Sequence, residues 1–305
     1  MTVSTPSVTA ILVTFNPDLK SFGQVIDSIS TQVKYLIIVD NGSKDISEIK
    51  KVAVATGCNF ILLEQKNNIG LASAQNIGIE YVKHNLNTSH IILFDQDSII
   101  NTDFIIHLLE EEQRLNENGV RVGAIGPSFY DPDNNNVYPA TVYNGPFIQR
   151  VELKDEPVEA TFLIASGCLI KMAVLNDVGK MLDDLFIDYI DVEWSLRAKK
   201  KGYKVFITPK ASMAHTIGDK RVSIFGRTIS SHSSFRRYFL VRNSFLMIRL
   251  SYIPFGYKLR EIVFNFIRII IGFATSSQKK VFIKYTIAAL KDGFLKKFGP
   301  CKYKF

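Results

Sequence analysis

Short apolar runs alternate with helical stretches through the first half of this chain, and that alternation limits the folds it can adopt. The apolar runs are residues 10–15, 35–39, 60–63 and 91–94. The stretches between them carry apolar residues at helical spacing, and Gly57 ends one of them. Strands that alternate with helices form a parallel sheet with helices on both faces. The sequence therefore predicts an α/β fold with a doubly wound, mostly parallel sheet.

The second half of the chain departs from this pattern. Residues 131–136 form a cluster of turn-forming residues, and the stretch from there to residue 158 is irregular. We expect an excursion of short strands there. The elements expected next are a strand over residues 162–170, a helix over 188–200 and a strand over 203–208 that Pro209 ends. Helices are then expected over residues 235–250, 257–273 and 279–298. We therefore divide the chain into an α/β domain, residues 1–218, and a helical region, residues 219–305.

Charge is distributed unevenly along the chain. The protein has 37 Lys and Arg residues against 29 Asp and Glu residues, and its formal net charge is +8. Residues 220–305 hold 18 of the basic residues but only two acids, Glu261 and Asp292. This basic helical region predicts contact with an anionic surface. We expect amphipathic helices that lie on the cytoplasmic face of an anionic membrane, and the alternative is a helical subdomain that packs on the core or forms a homo-oligomer.

The most apolar stretch of the helical region is not expected to span a membrane. Residues 262–274 are apolar but short, and Asn265 and Arg268 interrupt them. A spanning helix needs about 20 apolar residues. The N-terminus shows no basic segment before its first apolar run, so we expect no signal peptide. Three scattered cysteines offer no disulfide framework, which predicts a reducing, cytoplasmic compartment.

Two carboxylates follow the fourth apolar run directly. Asp95-Gln-Asp97 comes just after residues 91–94, at the carboxyl end of a predicted buried strand. Open α/β sheets bind ligands at this edge. Carboxylates two residues apart can share one divalent cation, and such a cation can stabilise a diphosphate leaving group. A polar turn that happens to contain two aspartates is the alternative.

Other polar residues are expected at the same edge of the sheet. Asn16 and Asp40 follow the first two apolar runs, and the Asp40 carboxylate could accept a hydrogen bond from N3–H of a pyrimidine base. Either could instead be an ordinary turn or cap residue. Asn68 and Gly70 border a helix start, where small residues allow a phosphate or ribose to approach backbone amides. Helix capping and tight helix–sheet packing are the alternative, and these residues taken alone favour it.

An acidic cluster begins the helix predicted near residue 190. Asp188, Asp191 and Glu193 lie within six residues, next to Trp194, which we expect to be exposed. The helix dipole accounts for one acid in the first turn but not for three. A general base must lie within hydrogen-bond reach of the hydroxyl that it activates, and Asp191 is our candidate for such a base, with Glu193 as the candidate that holds the acceptor. His215 could add a metal ligand or a diphosphate contact, although a lone histidine is more often structural.

Several enzyme classes lose support because their motifs are absent. The chain has no G-x-G-x-x-G, no G-x-x-x-x-G-K-[ST], no H-E-x-x-H and no G-x-S-x-G sequence. A sugar-1-phosphate nucleotidyltransferase would share the α/β core, but Asn16-Pro17 stands where its Gly-rich, Arg-containing loop would lie. A non-catalytic protein whose basic helices bind membrane or nucleic acid is a further alternative. Its test would be a nucleic-acid affinity that falls steeply with salt, and we expect no nucleic-acid partner.

Taken together, the motifs resemble the inverting family 2 glycosyltransferases of the GT-A fold. The matching segments are Val13-Thr-Phe-Asn-Pro17, Val39-Asp-Asn-Gly-Ser43, Asn68-Ile-Gly-Leu-Ala-x-Ala-x-Asn-x-Gly78, Asp95-Gln-Asp97 and Asp191-Val-Glu-Trp-Ser-Leu-Arg-Ala198. They occur in the family's order over roughly residues 8–218. The segments Phe186-Ile-Asp-Tyr-Ile-Asp-Val-Glu-Trp194 and Tyr238-Phe-Leu-Val-Arg-Asn243 are similar to the bacterial rhamnosyltransferases of O-antigen and capsule synthesis.

The resemblance implies an activity and a role for each residue. It implies transfer of L-rhamnose from dTDP-L-rhamnose, with Mg²⁺ or Mn²⁺, to a saccharide acceptor that is carried on a lipid. A UDP-hexose or UDP-N-acetylhexosamine donor is the alternative. The implied nucleotide-binding residues are Thr14, Asn16, Asp40, Asn68, Gly70 and Asp95. The implied metal residues are Asp97 and His215, the base is Asp191, and the acceptor-binding residues are Asp188, Glu193 and Trp194. Ile190 replaces the family's usual Glu before the base, so Asp188 stays an alternative to Asp191.

Overall fold

A computed structural model describes residues 7–214, 220–224, 227–231 and 233–305. The strands are β1 Val8–Thr14, β2 Tyr35–Asp40, β3 Phe60–Glu64, β4 His90–Asp95, β5 Val122–Tyr130, β6 Ala140–Asn144, β7 Phe147–Val151, β8 Val158–Ala160, β9 Cys168–Lys171, β10 Lys204–Ala214, β11 Lys220–Ile224 and β12 Arg227–Ser231. The helices are α1 Leu19–Ser30, α2 Ile46–Ala55, α3 Leu71–Asn85, α4 Phe104–Glu117, α5 Met172–Val178, α6 Ile190–Lys200, α7 Ser234–Arg249, α8 Phe255–Thr275 and α9 Lys279–Phe294, with a 3-10 turn at Asp183–Leu185.

The centre of the fold is an eight-stranded sheet in the order β3-β2-β1-β4-β9-β5-β10-β8. Strands β1 to β4 pair in parallel, and so do β5 and β10. Strand β9 runs antiparallel to its neighbours β4 and β5, and β8 runs antiparallel to β10 at the edge. The predicted α/β architecture with a mostly parallel sheet is therefore confirmed.

Strand β1 shows why the sheet is buried on both faces. All seven of its residues are buried. Ile11 and Val13 join the apolar layer that also contains residues of α3, α5 and α6, whereas Ala10 and Leu12 join the layer beneath α1, α2 and α4. A continuous apolar run suits such a strand because both of its faces exclude water. The same property explains why the first four strands were predictable from the sequence.

The later strands show where local patterns were insufficient. Strand β5 was not predicted, because Gly123, Gly126 and Pro127 lower its intrinsic strand propensity, yet it occupies a central place in the sheet. The expected strand over residues 162–170 is reduced to β9. Strand β10 continues past Pro209, which was expected to end it, because the pairing with β5 shifts register between Thr208 and Ser212. A bulge at this point accommodates a residue that has no N–H to donate.

Helix α4 begins after Asp103, which has a positive φ of 65°, and no side chain caps it. The hairpin of β11 and β12 lies in the segment that was expected to begin the helical region. The excursion of short strands after residue 131 is present as β6, β7 and β8.

The three C-terminal helices pack on the core. Phe239 of α7 stacks on Phe186 with the ring centroids 4.9 Å apart. Met247 and Tyr257 join the apolar layer that contains α3 and α6. In the part of the chain that the structure describes, no helix has both the length and the apolarity needed to cross a bilayer. The packing shows that α7 and α8 contribute to the same body as the sheet.

Candidate active site

A cleft of about 570 Å³ opens at the carboxyl ends of β1, β2 and β4. The strands end level with one another, because Thr14 pairs with Asp40 and Val13 pairs with Asp95 in the parallel register. The loop of residues 186–191 lines the opposite side. Of the residues predicted from sequence, those that line the cleft are Thr14, Asn68, Asp95, Asp97, Asp188 and Asp191.

Asp95 and Asp97 lie on the turn after β4. The backbone N–H of Ser98 donates to the Asp95 carbonyl at 3.2 Å, which closes the turn. Burial raises the pKa of Asp95 to about 7, and the neighbouring charges of Asp97 and Asp191 add to the effect. These carboxylates are therefore close enough to oppose one another's ionisation, and the cleft concentrates negative charge.

A divalent cation fits this arrangement chemically, since it prefers oxygen ligands and would relieve the repulsion between the carboxylates. Asp95 and Asp97 are the residues that could hold it. Among the described residues, no three His, Cys, Asp or Glu side chains form a group that could hold a metal ion. His215, the predicted further ligand, lies outside the described residues. Of the residues considered for a metal site, Asp95 and Asp97 line the cleft.

Asp40 is buried at the end of β2, with 1% of its surface exposed. Its Oδ2 accepts hydrogen bonds from the backbone N–H groups of Gly42 and Ser43 at 3.1 and 2.9 Å. Its Oδ1 is buried and has no hydrogen-bond partner among the described residues. One carboxylate oxygen therefore holds the turn, and the other is left to accept a hydrogen bond.

The residues after β1 have different surroundings. The Thr14 hydroxyl donates to Gln96 Oε1 at 3.2 Å, and Phe15 N–H donates to the same oxygen at 2.7 Å. Asn16 accepts from the Lys44 N–H through its Oδ1 at 3.0 Å, so its side chain ties β1 to the loop after β2. Thr14 thus lines the cleft, while the Asn16 side chain has a structural contact that the capping alternative anticipated.

The start of α3 is occupied by protein rather than open to a ligand. The N–H groups of Leu71 and Ala72 donate to the Phe186 carbonyl at 2.7 and 3.4 Å. A Cβ added at Gly70 would lie 2.5 Å from the Phe186 ring. Asn68 Oδ1 accepts from the Gly70 N–H at 2.9 Å. Gly70 is therefore needed for close packing of Phe186, and Asn68 lines the cleft beside it.

The loop of residues 186–191 carries the two candidate bases. Asp191 lies in the first turn of α6, and its Oδ1 accepts from the Val192 N–H at 2.9 Å. Burial raises the pKa of Asp191 to about 6 in spite of hydrogen bonds that favour the charged form. Asp188 is instead paired with Arg236, whose guanidinium donates to its Oδ1 at 3.1 and 3.2 Å. The two carboxylates therefore differ in their charge environment.

The structure places two of the predicted acceptor-binding residues, Glu193 and Trp194, outside the residues that line the cleft. Trp194 is buried, not exposed, with 2% of its surface accessible, and its indole N–H donates to the Gly179 carbonyl at 2.8 Å. Glu193 is fully buried and pairs with Arg197 at 2.8 Å. The Tyr252 hydroxyl also donates to Glu193. Both residues therefore support the fold of α6 from behind the cleft.

The cleft residues that were not identified from sequence include Gln75, Gln96 and Arg236. Gln75 is 2% exposed, and its Oε1 has no hydrogen-bond partner within the described segments. It shares a buried face of α3 with Ala72 and Ile79, so a polar residue on an apolar face was the available signal. Gln96 stood between the two predicted aspartates. Arg236 lies far along the sequence from the loop that it contacts, and no local pattern points to it.

Comparison with known proteins agrees with this architecture. Residues 9–179 match the family described as Glycosyl transferase family 2. The dTDP-rhamnosyl transferase RfbF of Shigella flexneri is 35% identical over 305 residues, which covers 97% of this chain and 98% of that protein.

Two solved structures share the fold. GalNAc-T7 with UDP, GalNAc and Mn²⁺ superposes with a TM-score of 0.58 at 14% identity, and the match covers 87% of this chain and 58% of that longer chain. TarS of S. aureus in complex with UDP-GlcNAc gives a TM-score of 0.55 at 13% identity, with coverage of 94% and 80%. The matched family, the full-length relative and the shared fold lead to one conclusion. This chain belongs to the family 2 glycosyltransferases and is a glycosyltransferase of the GT-A fold.

Proposed function

We propose that this enzyme transfers L-rhamnose from dTDP-L-rhamnose to a saccharide acceptor, with inversion at the anomeric carbon. The observation that carries the proposal is the 35% identity to a dTDP-rhamnosyl transferase over nearly the whole of both chains. Phe186 lines the cleft and offers an apolar surface to the methyl group of a 6-deoxy sugar. Such a surface discriminates by only about 1–3 kcal/mol, so it supports the donor assignment rather than determines it.

Asp191 is the proposed catalytic base. It accepts the proton of the acceptor hydroxyl while that oxygen forms its bond to the anomeric carbon. The bond from that carbon to the diphosphate oxygen breaks, and the diphosphate leaves with the electron pair. The raised pKa of about 6 makes Asp191 a stronger base than an exposed aspartate but leaves it ionised at neutral pH. Asp188 is less suited to this role because its carboxylate is already paired with the Arg236 guanidinium.

The nucleotide is proposed to lie along the strand ends. The unpartnered Oδ1 of Asp40 supports a hydrogen bond from N3–H of the pyrimidine, since a buried acceptor without a partner is costly. Thr14, Asn68 and Asp95 line the cleft where the ribose and diphosphate would extend. Thymine and uracil present the same N3–H, so Asp40 supports a pyrimidine donor without choosing between them.

A divalent cation, Mg²⁺ or Mn²⁺, is proposed beside Asp95 and Asp97. When bound it would neutralise charge on the departing diphosphate. The raised pKa of Asp95, which is caused first by burial and then by the charges of Asp97 and Asp191, supports the assignment, because a positive charge would stabilise the ionised carboxylates. A structural relative, GalNAc-T7, was solved with Mn²⁺.

The proposed acceptor is a saccharide carried on a lipid, and the proposed place of work is the cytoplasmic face of an anionic membrane. The excess of Lys and Arg over acids in residues 220–305 supports an anionic surface as partner. A lipid-carried acceptor is confined to such a surface, so an enzyme that binds it would meet its substrate at a raised local concentration.

A panel of donors tests the proposed reaction. We expect isothermal titration to show tighter binding of dTDP-L-rhamnose than of UDP-glucose, UDP-galactose or UDP-N-acetylglucosamine. The rates at which the enzyme slowly hydrolyses these donors in Mg²⁺ or Mn²⁺ should rank the donors in the same order as their affinities. Tighter binding and faster turnover of any UDP-sugar would overturn the rhamnosyl assignment and leave the enzyme a glycosyltransferase.

A UDP-hexose or UDP-N-acetylhexosamine donor is the second candidate. It is favoured by one observation, which is that the structural relative TarS was solved with UDP-GlcNAc in the same fold. At 13% identity that likeness concerns the fold alone. The donor panel therefore includes a UDP-N-acetylhexosamine, UDP-N-acetylglucosamine, for direct comparison with dTDP-L-rhamnose.

A further inference from the structure

Helix α8 is oriented with its apolar residues outward. Its exposed large apolar side chains are Phe255, Leu259, Ile262, Val263, Phe266, Ile267, Ile270 and Phe273. Phe266 and Ile270 are 66% and 68% exposed. The spacing of these residues follows one side of a helix that is about 30 Å long. A helix whose outer side faces water alone would place polar residues there, so this side needs a different explanation.

The polar residues of α8 face inward. Arg260, Glu261 and Asn265 are 9%, 1% and 8% exposed. Asn265 donates to the Ser244 hydroxyl of α7, and Arg268 pairs with Glu261 at 2.9 Å. Asn265 and Arg268, which interrupt the apolar stretch in the sequence, therefore do not interrupt the outer face of the helix. They lie on the protein side, and the outward apolar surface is continuous past them.

The surface around this helix carries positive charge. Residues 233–305 contain only two acids, Glu261 and Asp292, and both are buried, at 1% and 5% exposure. The lysines of this segment that are exposed are Lys279, Lys280, Lys284, Lys291, Lys296, Lys297, Lys302 and Lys304. Lys279 Nζ lies 5.3 Å from the ring of Phe273 at the end of the apolar face. In this segment, the exposed charged side chains are therefore cationic.

We propose that the outward face of α8 docks into the headgroup region of an anionic bilayer, with the surrounding lysines on the phosphates. Apolar side chains bordered by Lys and Arg are what interfacial helices use to bind anionic membranes. A second copy of the chain fits less well, because pairing this face with itself would bring two cationic rims together. The inference deepens the proposed membrane partner and is independent of the donor sugar.

The inner side of the same helix touches the active-site loop. Arg268 Nη1 donates to the Tyr189 hydroxyl at 2.6 Å, and Tyr189 donates to Glu261. Tyr189 immediately precedes α6, which carries Asp191 in its first turn. Docking α8 on a membrane therefore places the loop that carries the proposed base directly behind the docking helix, next to the surface from which a lipid-carried acceptor would be drawn.

Vesicle flotation with the full chain tests the proposal. The vesicles would be phosphatidylglycerol mixed with phosphatidylcholine, and phosphatidylcholine alone as the neutral comparison. The variant is Phe266→Asp combined with Ile270→Asp, both at exposed positions outside the proposed catalytic groups. Val54→Asp, which changes a 62% exposed apolar residue on α2, is the matched control. Circular dichroism and donor hydrolysis would check that each variant is folded.

We expect the wild type and Val54→Asp to bind the anionic vesicles and to bind more weakly as salt rises. The double variant should bind roughly tenfold more weakly or worse, since two charges enter the apolar face. A second variant, Lys279→Glu with Lys280→Glu, should also reduce binding while leaving every apolar residue of the α8 face unchanged.

Other results would overturn the proposal. These are no vesicle binding by the wild type, equal binding by the double variant, or equal binding to neutral and anionic vesicles. Light scattering would identify a second copy as the occupant if the wild type were a dimer that the double variant dissociates. If the double variant lost vesicle binding while it still consumed the donor at the wild-type rate, the docking proposal would hold independently of the proposed reaction.

Discussion

The two sides of the cleft are built differently. The strand wall, formed by Thr14 and Asp95, consists of residues at the ends of paired strands, so the sheet register fixes their positions. The loop wall, residues 186–191, belongs to no strand and ends in the first turn of α6. Three of its residues, Phe186, Asp188 and Tyr189, have positive φ angles of 63°, 64° and 66°. Such conformations cost about 1–3 kcal/mol each and persist only when their surroundings hold them.

Distant parts of the chain hold the loop wall in place. Asn243 of α7 donates through its Nδ2 to the carbonyls of Leu185 and Ile187 at 2.8 and 2.9 Å. Arg236 of α7 holds Asp188, and Arg268 of α8 holds Tyr189. The sheet register therefore positions the strand wall, whereas contacts with the C-terminal helices position the loop wall. Changes in those helices should therefore reach the catalytic step.

Replacing the proposed base should give the largest effect. We expect Asp191→Asn to slow the chemical step by about 10²–10⁴, which is typical for loss of a general base. Donor affinity should change little, because Asp191 is proposed to act on the acceptor and not to bind the donor. Single-turnover measurement of donor consumption, together with titration of donor binding, checks both parts.

Asp188→Asn is the matched control, since it changes a second aspartate of the same loop. Its pairing with Arg236 predicts a smaller loss than that of Asp191→Asn. If Asp188→Asn were far more damaging in the same single-turnover assay, the roles of the two carboxylates would be reversed.

The proposed metal site, on the turn that follows the strand wall, is tested by Asp97→Asn. Metal-dependent turnover should be lost, with a fall in metal affinity of at least about 10–100-fold, while the fold stays intact because Asp97 is exposed. Titration of Mn²⁺ against wild type and variant measures the affinity directly. Full wild-type activity in excess chelator, or near wild-type activity of the variant, would remove the metal from this site.

The dependence of the loop wall on α7 is tested by Asn243→Ala. The change leaves the carbonyls of Leu185 and Ile187 without this donor, so the free energy of unfolding should fall by about 1–3 kcal/mol. The rate of donor consumption should fall as well, because the loop loses its support. Denaturant unfolding and single-turnover kinetics measure the two effects.

Asn116→Ala provides the comparison for that variant. The Asn116 side chain lies at the end of α4, away from the cleft. Its Nδ2 donates a hydrogen bond to the Glu112 carbonyl at 2.7 Å. We expect a smaller loss of stability and an unchanged rate. An equal loss of rate in both variants would show that the effect is general destabilisation rather than support of the loop.

The smallest expected effect is the pH dependence of turnover. The pKa of Asp191 is raised to about 6, and a base must be deprotonated to act. The rate should therefore rise about tenfold per pH unit below pH 6 and level off above it. Asp191→Asn should remove this rise. A wild-type profile that is flat from about pH 5 to 7 would contradict the assignment of Asp191.

Sequence alone predicted the strand wall well, because each of its residues adjoins a buried apolar run that local pattern identifies. It found the acidic cluster of the loop wall but assigned Glu193 and Trp194 to the acceptor. A helical pattern does not reveal which side faces a cleft, and here both residues face the body of the protein. Gly70 was recognised as special, but the partner that requires it, Phe186, lies over a hundred residues away.

The C-terminal helices show the same limit more strongly. Asn265 and Arg268 were taken as interruptions of an apolar stretch, although they pair with groups on α7 and on the active-site loop. Their role depends on which face of α8 packs inward, and that is set by long-range contacts. Arg236 could not be placed for the same reason, since its partner Asp188 lies 48 residues away.

The anomeric configuration of the released sugar is the most direct test of a single inverting displacement with Asp191 as the base. The enzyme would be incubated with dTDP-L-rhamnose and a divalent cation, and the first sugar released by slow hydrolysis would be followed by ¹H NMR before mutarotation. A single displacement assisted by Asp191 predicts the anomer opposite to that of the donor. Release of the same anomer would require two displacements and would contradict Asp191 as a base that acts on the attacking hydroxyl.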